Sequence, residues 1–151
     1  MSPPPMKKIL VALDTSKRSG DVLATALTLA REHEGQVTLL RAVTVPPDLP
    51  SEAFSVTPDG LVDVLRRHAL EDLQVVATAI PKELVAGFDV VVGSPWQSIC
   101  EEAKRLDVDL VVLGSHGYGA LDRLLGTTAA KVVNHCDRSV LVVRDPASPG
   151  R

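Results

Sequence analysis

DLVVLGSHGYGALDRLLGTTAAKVVNHC, residues 109–136, passes from an unbroken apolar run into a glycine-rich loop and then into a helical pattern. The run Asp109 to Leu113 reads as a strand covered on both faces, since a half-solvated strand would alternate apolar and polar residues. Gly114, Gly117 and Gly119 fall within six residues. Glycine takes φ > 0 readily and lets the backbone come close to a ligand. After Gly126 the apolar positions Ala129, Val132, Val133 and Cys136 recur at helical spacing. A helix start exposes unpaired N–H groups and the positive end of the helix dipole, a natural seat for an anion. Thr127 and Thr128 stand at that start, as an N-cap or as hydroxyl donors to a phosphate oxygen. Glycine and threonine also serve turn geometry alone, and the spacing matches neither G-x-G-x-x-G nor G-x-x-x-x-G-K-[ST].

Strand and helix patterns alternate on both sides of this unit. Strands are expected at Lys8–Leu13, Gln36–Val45, Phe88–Val92 (with Leu84 and Val85 as an earlier start) and Ser139–Val143. A first helix starts between Ser16 and Asp21, buries Val22, Leu23, Ala26, Leu27 and Ala30, and closes at Gly35 in a C′-type position. The next, with Thr57-Pro58 as N-cap and N1, steps through Val62, Leu65, Ala69, Leu73, Val76 and Ile80 before Pro81. A third opens at Ser94-Pro95, where Ser94 and Gln97 form a capping box, buries Trp96, Ile99, Cys100, Ala103 and Leu106, and leaves Glu101 to Arg105 facing water. Five strands and four helices in this order predict an α/β fold with a doubly wound parallel sheet and helices on both faces. Right-handed crossovers limit the strand order, and 3-2-1-4-5 is expected because strands one and four carry the two candidate loops and a ligand crevice needs them as neighbours. That order sets strands one and four side by side. Ligands in such sheets sit beyond the carboxyl ends of the strands at the switch point, so Asp14-Thr15-Ser16 and the glycine loop share one crevice.

The chain has 151 residues, of which 45% are hydrophobic, enough for one domain with a real core. Residues 1–6 are expected as a disordered lead, 7–145 as the domain and 146–151 as a flexible tail. Residues 44–60 carry four prolines and lack periodicity, so they read as a long loop, either a lid or an ordinary insertion. A net charge of −3, dispersed Lys and Arg, and 3% aromatic residues argue against a nucleic-acid surface. No secretory h-region or membrane-length apolar run is present in the sequence, which predicts a cytoplasmic protein without membrane contact. Cys100 and Cys136 have no C-x-x-C partner and fall on apolar helix stripes, so they read as small buried hydrophobes.

The run Gly114-Ser115-His116-Gly117 followed by Gly126-Thr127-Thr128, with Asp14-Thr15-Ser16 after the first strand and the closing VVNHCDRSVLVVR, resembles the universal stress protein family, whose loop is written G-x-x-G-x(9)-G-[ST]. Here eight residues separate Gly117 from Gly126, one fewer than in the common form. The resemblance implies an ATP or other adenine-nucleotide site, with Mg²⁺ carried by the phosphates and no metal ligands from the protein. It implies that Gly114, Gly117, Gly126, Thr127 and Thr128 meet ribose and phosphates and that Asp14 and the Val43 backbone meet the nucleoside. Ala12, Ser16, Leu113 and His116 complete the same binding set. It also implies a stress-response or signalling role and a homodimer through the edge strand Ser139–Val143. Two other outcomes stay open: a nucleotide-free dimer acting through protein contacts, and a slow ATPase or self-phosphorylating enzyme. Against the last, His116 is the only candidate base in the central loop, with Arg123 and Lys131 as nearby charges; His33, His68 and His135 read as helix-surface residues. No catalytic residue is assigned.

Overall fold

The computed structural model describes residues 5–16, 18–44, 58–115 and 126–144. The strands are β1 (Lys8–Ala12), β2 (Gln36–Val43), β3 (Val85–Val92), β4 (Leu110–Gly114) and β5 (Ser139–Val143). The helices are α1 (Ser19–Glu32), α2 (Pro58–Thr78), α3 (Pro95–Arg105) and α4 (Thr127–His135), and a 3-10 turn at Lys82–Leu84 leads into β3. Every strand pairing is parallel and the order is β3-β2-β1-β4-β5, as expected.

The sheet divides its side chains between two cores. Ile9, Val11, Val37, Leu39, Leu110 and Val112 point to one face, where Val22, Ala26 and Ala30 of α1 and Ala69 and Leu73 of α2 cover them. Leu10, Leu40, Val111 and Leu113 point to the other, against Ile99 and Ala103 of α3 and Ala129 and Val132 of α4. Burial on alternate faces makes these strands continuously apolar. No helix among the described residues is long and apolar enough to cross a membrane.

Several local expectations change. β3 begins at Val85, the earlier of its two starts, with a register shift against β2 between Val37 and Thr38. β1 ends at Ala12 and β2 at Val43, each short of its expected end, while β4 runs one residue further, to Gly114. Ser94 is the N-cap of α3 but makes no side-chain capping bond, so the capping box does not form. Glu102 is buried, not facing water, and Arg105 grips it through Nε at 2.9 Å and Nη2 at 2.7 Å. Val133 is exposed because the short α4 presents only a narrow stripe to the sheet.

The left-handed residue after α1 is Glu34 (φ 54°), not Gly35. Gly35 N–H donates to Ala30 O at 2.8 Å and Glu34 N–H to Arg31 O at 3.5 Å, the paired bonds of a Schellman ending. Gly35 is required for closeness instead, since a Cβ there would lie 2.5 Å from the Lys7 carbonyl oxygen. α3 ends in the same way, with Asp107 (φ 51°) left-handed and Val108 N–H on Ala103 O at 3.1 Å. Helices one and three therefore turn directly into β2 and β4. The expected loop at 44–60 falls largely outside the described residues, and its last three residues open α2.

Candidate functional site

β1 and β4 are adjacent and parallel, Val11 beside Val112, so both leave the sheet at the same edge. Ala12, half-buried, ends β1, and the Leu13 N–H donates to Leu40 O at 2.9 Å, carrying the pairing one residue beyond the strand. The chain then turns at Asp14, which is exposed. Its Oδ1 accepts the Ser16 N–H at 2.9 Å and the Ser19 hydroxyl at 3.0 Å, and that hydroxyl also lies 2.7 Å from the Asp14 carbonyl oxygen. A carboxylate bonded to the N–H two residues on makes an Asx turn. Asp14 therefore tethers the entrance of α1 whatever else it touches. Ser16 contributes its own oxygen, accepting the Arg18 N–H at 3.3 Å.

On the β4 side Leu113 is buried and Gly114 pairs with Val143 in the ladder. Gly114 is thus extended as a strand residue and does not supply the positive φ expected of it, and Gly126 has φ −59° and ψ 159°. His116, Gly117 and Gly119 lie outside the described residues. The two ends of the loop meet: Gly126 N–H donates to Ser115 O at 3.0 Å, while Ser115 N–H holds Val143 O at 2.9 Å. This closure seats the start of α4 directly against the end of β4. Gly126 is the N-cap, which leaves Thr127 at N1 and Thr128 at N2 instead of capping. Among the described residues neither threonine hydroxyl makes a hydrogen bond, and the first N–H groups of α4 have no intrahelical partner.

Around this edge Arg18, Asp21 and Val22 meet Gly114, Ser115, Val143 and Arg144 in one narrow pocket. Val43, at the end of β2, is already engaged through its carbonyl, which accepts the Gly93 N–H at 3.0 Å. The structure therefore brings Ala12, Asp14, Ser16, Leu113, Gly114, Gly126, Thr127 and Thr128 to one end of neighbouring strands, with Val43 two strands from β4. A larger groove of about 710 Å³ lies at the opposite edge, lined by Lys7, Lys8, Arg31, Glu34, Gln36 and Glu83 among others. The switch-point rule favours the carboxyl ends of β1 and β4 over that groove; the narrow pocket lies beside them, lined from the start of α1 and the ends of β4 and β5. Among the described residues no group of three or more His, Cys, Asp or Glu side chains is placed to hold a metal ion.

Sequence reasoning missed Ser19 and Arg41, and named Ser115 only within the glycine-loop motif. The Arg41 guanidinium reaches the Asp14 carbonyl at 3.4 Å, and the sequence signal was a charge between Leu39-Leu40 and Ala42-Val43 in a strand.

Residues 5–144 match the family described as the Universal stress protein family. A universal stress protein of Synechocystis sp. is 33% identical over 153 aligned residues, covering 91% of this chain and 97% of its own. The universal stress protein UspA of Lactobacillus plantarum superposes with a TM-score of 0.77 at 25% identity, covering 94% of this chain and 100% of its own. The universal stress protein of Archaeoglobus fulgidus solved in complex with dAMP has a TM-score of 0.63 at 21% identity and covers 93% of this chain and 100% of its own, a likeness of fold.

Proposed function

The chain belongs to the universal stress protein family, and on that footing we propose that it binds an adenine nucleotide, ATP with Mg²⁺ in the first instance, in the crevice between β1 and β4. The observation that carries the reading is the Ser115–Gly126 closure, which seats the N-terminus of α4, with two threonine hydroxyls that make no hydrogen bond among the described residues, at the carboxyl end of β4, the strand beside β1. Unpaired N–H groups, the positive end of a helix and neighbouring Arg18 and Arg144 suit a polyphosphate. Gly114, Gly126, Thr127 and Thr128, with Gly117 and His116 from the loop between them, take ribose and phosphates. Ala12, Asp14, Ser16, Leu113 and the Val43 backbone take the nucleoside. A divalent ion travels with the phosphates and shields their charge. The dAMP-bound relative supports the ligand class.

The protein acts in the cytoplasm as a stress-response or signalling binder, not as an efficient enzyme. It dimerises through β5, which pairs with β4 on one side and has no strand on its other side among the described residues. A second reading, a nucleotide-free dimer, is favoured by one observation: the Asp14 carboxylate is already used by Ser16 and Ser19.

Titration calorimetry of nucleotide-stripped protein with ATP and Mg²⁺, repeated with AMP and GTP, separates the two. Saturable, adenine-selective binding that weakens in a Thr127→Ala, Thr128→Ala variant supports the nucleotide reading. No heat and no thermal stabilisation by any nucleotide leaves the dimer reading standing.

A further inference from the structure

Arg41 interrupts an apolar stripe. Val37, Leu39 and Val43 on the same face of β2 pack into the core under α1 and α2, and Arg41 lies between them with its side chain 13% exposed. Its Nη1 pairs with Asp72 of α2 at 3.3 Å, and its Nη2 donates to the backbone carbonyl of Asp14 at 3.4 Å. Its Nε–H is buried and has no acceptor among the described residues. Folded proteins rarely leave a buried donor unpaired, because the group loses its bond to water and gains nothing. A valine or leucine at position 41 would continue the stripe without that cost. The charge is therefore not explained by core stability, and the Asp72 pair does not explain it either, because one partner is largely exposed. What the guanidinium does reach is the backbone of the residue that ends the β1 turn.

We propose that Arg41 is a positioning residue for the nucleoside end of the crevice: held by Asp72 on α2, it fixes the Asp14 carbonyl and with it the direction of the Asp14 carboxylate. The inference rests on the adenine-nucleotide reading above. A planar guanidinium is suited to the role, since it offers separate N–H groups to Asp72 and to the carbonyl at fixed mutual geometry. A lysine ammonium on a flexible stem does not hold two such partners in one plane. Because Arg41 acts on the Asp14 turn, it bears on the nucleoside and not on the phosphates seated at α4. Loss of Arg41 therefore weakens adenosine and ATP by the same factor, about three- to tenfold for one long hydrogen bond from a charged donor. The effect vanishes once Asp14 has no carboxylate to aim.

The test is a double-mutant cycle read by calorimetry with adenosine and with ATP and Mg²⁺, on the intact protein, Arg41→Gln, Asp14→Ala and both together. The expected result is equal weakening of both ligands by Arg41→Gln, little further loss when it is added to Asp14→Ala, and a Lys at 41 that does not restore affinity. Thermal melting of each variant identifies loss of fold. Should Arg41→Gln melt early, Asp72→Ala, which removes the acceptor at an exposed position, replaces it in the cycle with the same expectation. Binding by the intact protein with Arg41 and Asp14 effects that simply add, or with no Arg41 effect, overturns this inference alone. Absence of binding by the intact protein overturns the nucleotide reading and this inference with it.

Discussion

The Arg138 Nη1 lies 2.6 Å from Oδ1 of Asp107, joining the left-handed residue that ends α3 to the residue before β5. The same Nη1 donates to Val108 O at 3.3 Å, so one guanidinium gathers the entrances of β4 and β5. The hydrogen bond from Arg138, and then its charge, hold the Asp107 carboxyl below the usual carboxylate range. A carboxyl whose folded pKa is depressed adds stability above its unfolded value, about 3.9, and loses it as pH falls through the lower folded value. Asn tolerates the left-handed region as Asp does, so Asp107→Asn removes charge without straining the turn. The variant is expected to melt below the parent at pH 7 and to converge with it as pH falls through the depressed folded value. Thermal melts across pH check this; a gap that persists in acid would mean the backbone, not the ion pair, carries the effect.

Two glycines of α1 and its exit are expected to respond in opposite directions to the same change. At Gly35 an added Cβ meets the Lys7 backbone at 2.5 Å, and backbone cannot swing aside. Gly35→Ala should lower stability by about 1–3 kcal/mol. At Gly20, inside the first turn of α1, no heavy atom of the described residues beyond its chain neighbours and the helix's own backbone lies within 4 Å of the new Cβ. Gly20→Ala should raise stability by about 0.4–1 kcal/mol, mainly by restricting the unfolded chain. Urea denaturation of both variants decides, and a stabilised Gly35→Ala would refute the close approach of β1 to the helix exit.

Asp14 has a turn role and a proposed ligand role, and two substitutions separate them. Asp14→Asn keeps an oxygen for the Ser16 N–H and Ser19 hydroxyl and removes only the charge. It should hold its melting temperature while altering nucleotide affinity. Asp14→Ala removes the turn bonds as well, at about 0.5–2 kcal/mol of stability, the cost of losing a helix-entrance side chain. Equal melting of the two variants would show that the bonds to Ser16 and Ser19 do not hold the turn.

Cys100 on α3 and Cys136 at the end of α4 are both free and pack against the same core. Burial, then the neighbouring Cys136, pushes the Cys100 thiol up to about 11. At pH 8 only on the order of one molecule in a thousand then carries the reactive thiolate at that site. Iodoacetamide should modify Cys100 at a small fraction of the rate seen after denaturation, as mass spectrometry of the peptides would show. Rapid native labelling of Cys100 would contradict its inert setting.

Most of the layering was legible in residue order. β1 and β4 are continuous apolar runs because both faces are covered, and the helix stripes repeat at three and four because only one side meets the sheet. Asp14 and Gly126 were legible as punctuation at the ends of such runs. Glu102 was misread as solvent-facing because periodicity marks which side of a helix turns inward, not which charged residue an Arg three positions on will shelter. Gly35 was assigned the wrong reason: the sequence pattern shows a helix ending there, but not that Lys7 crosses close above it.

What residue order determined is therefore the α/β alternation, which follows from local spacing, and, once the two candidate loops are required to share a crevice, the sheet order and the edge where the loops gather. Tertiary structure alone decided that Asp14 is shared by Ser16, Ser19 and the reach of Arg41, and that Ser115 closes on Gly126 to place Thr127 and Thr128. Those contacts depend on which donor arrives beside which acceptor after the strands have paired. Hydrogen bonds are satisfied in space over about 3 Å, while the sequence records only the burial that brings their owners together.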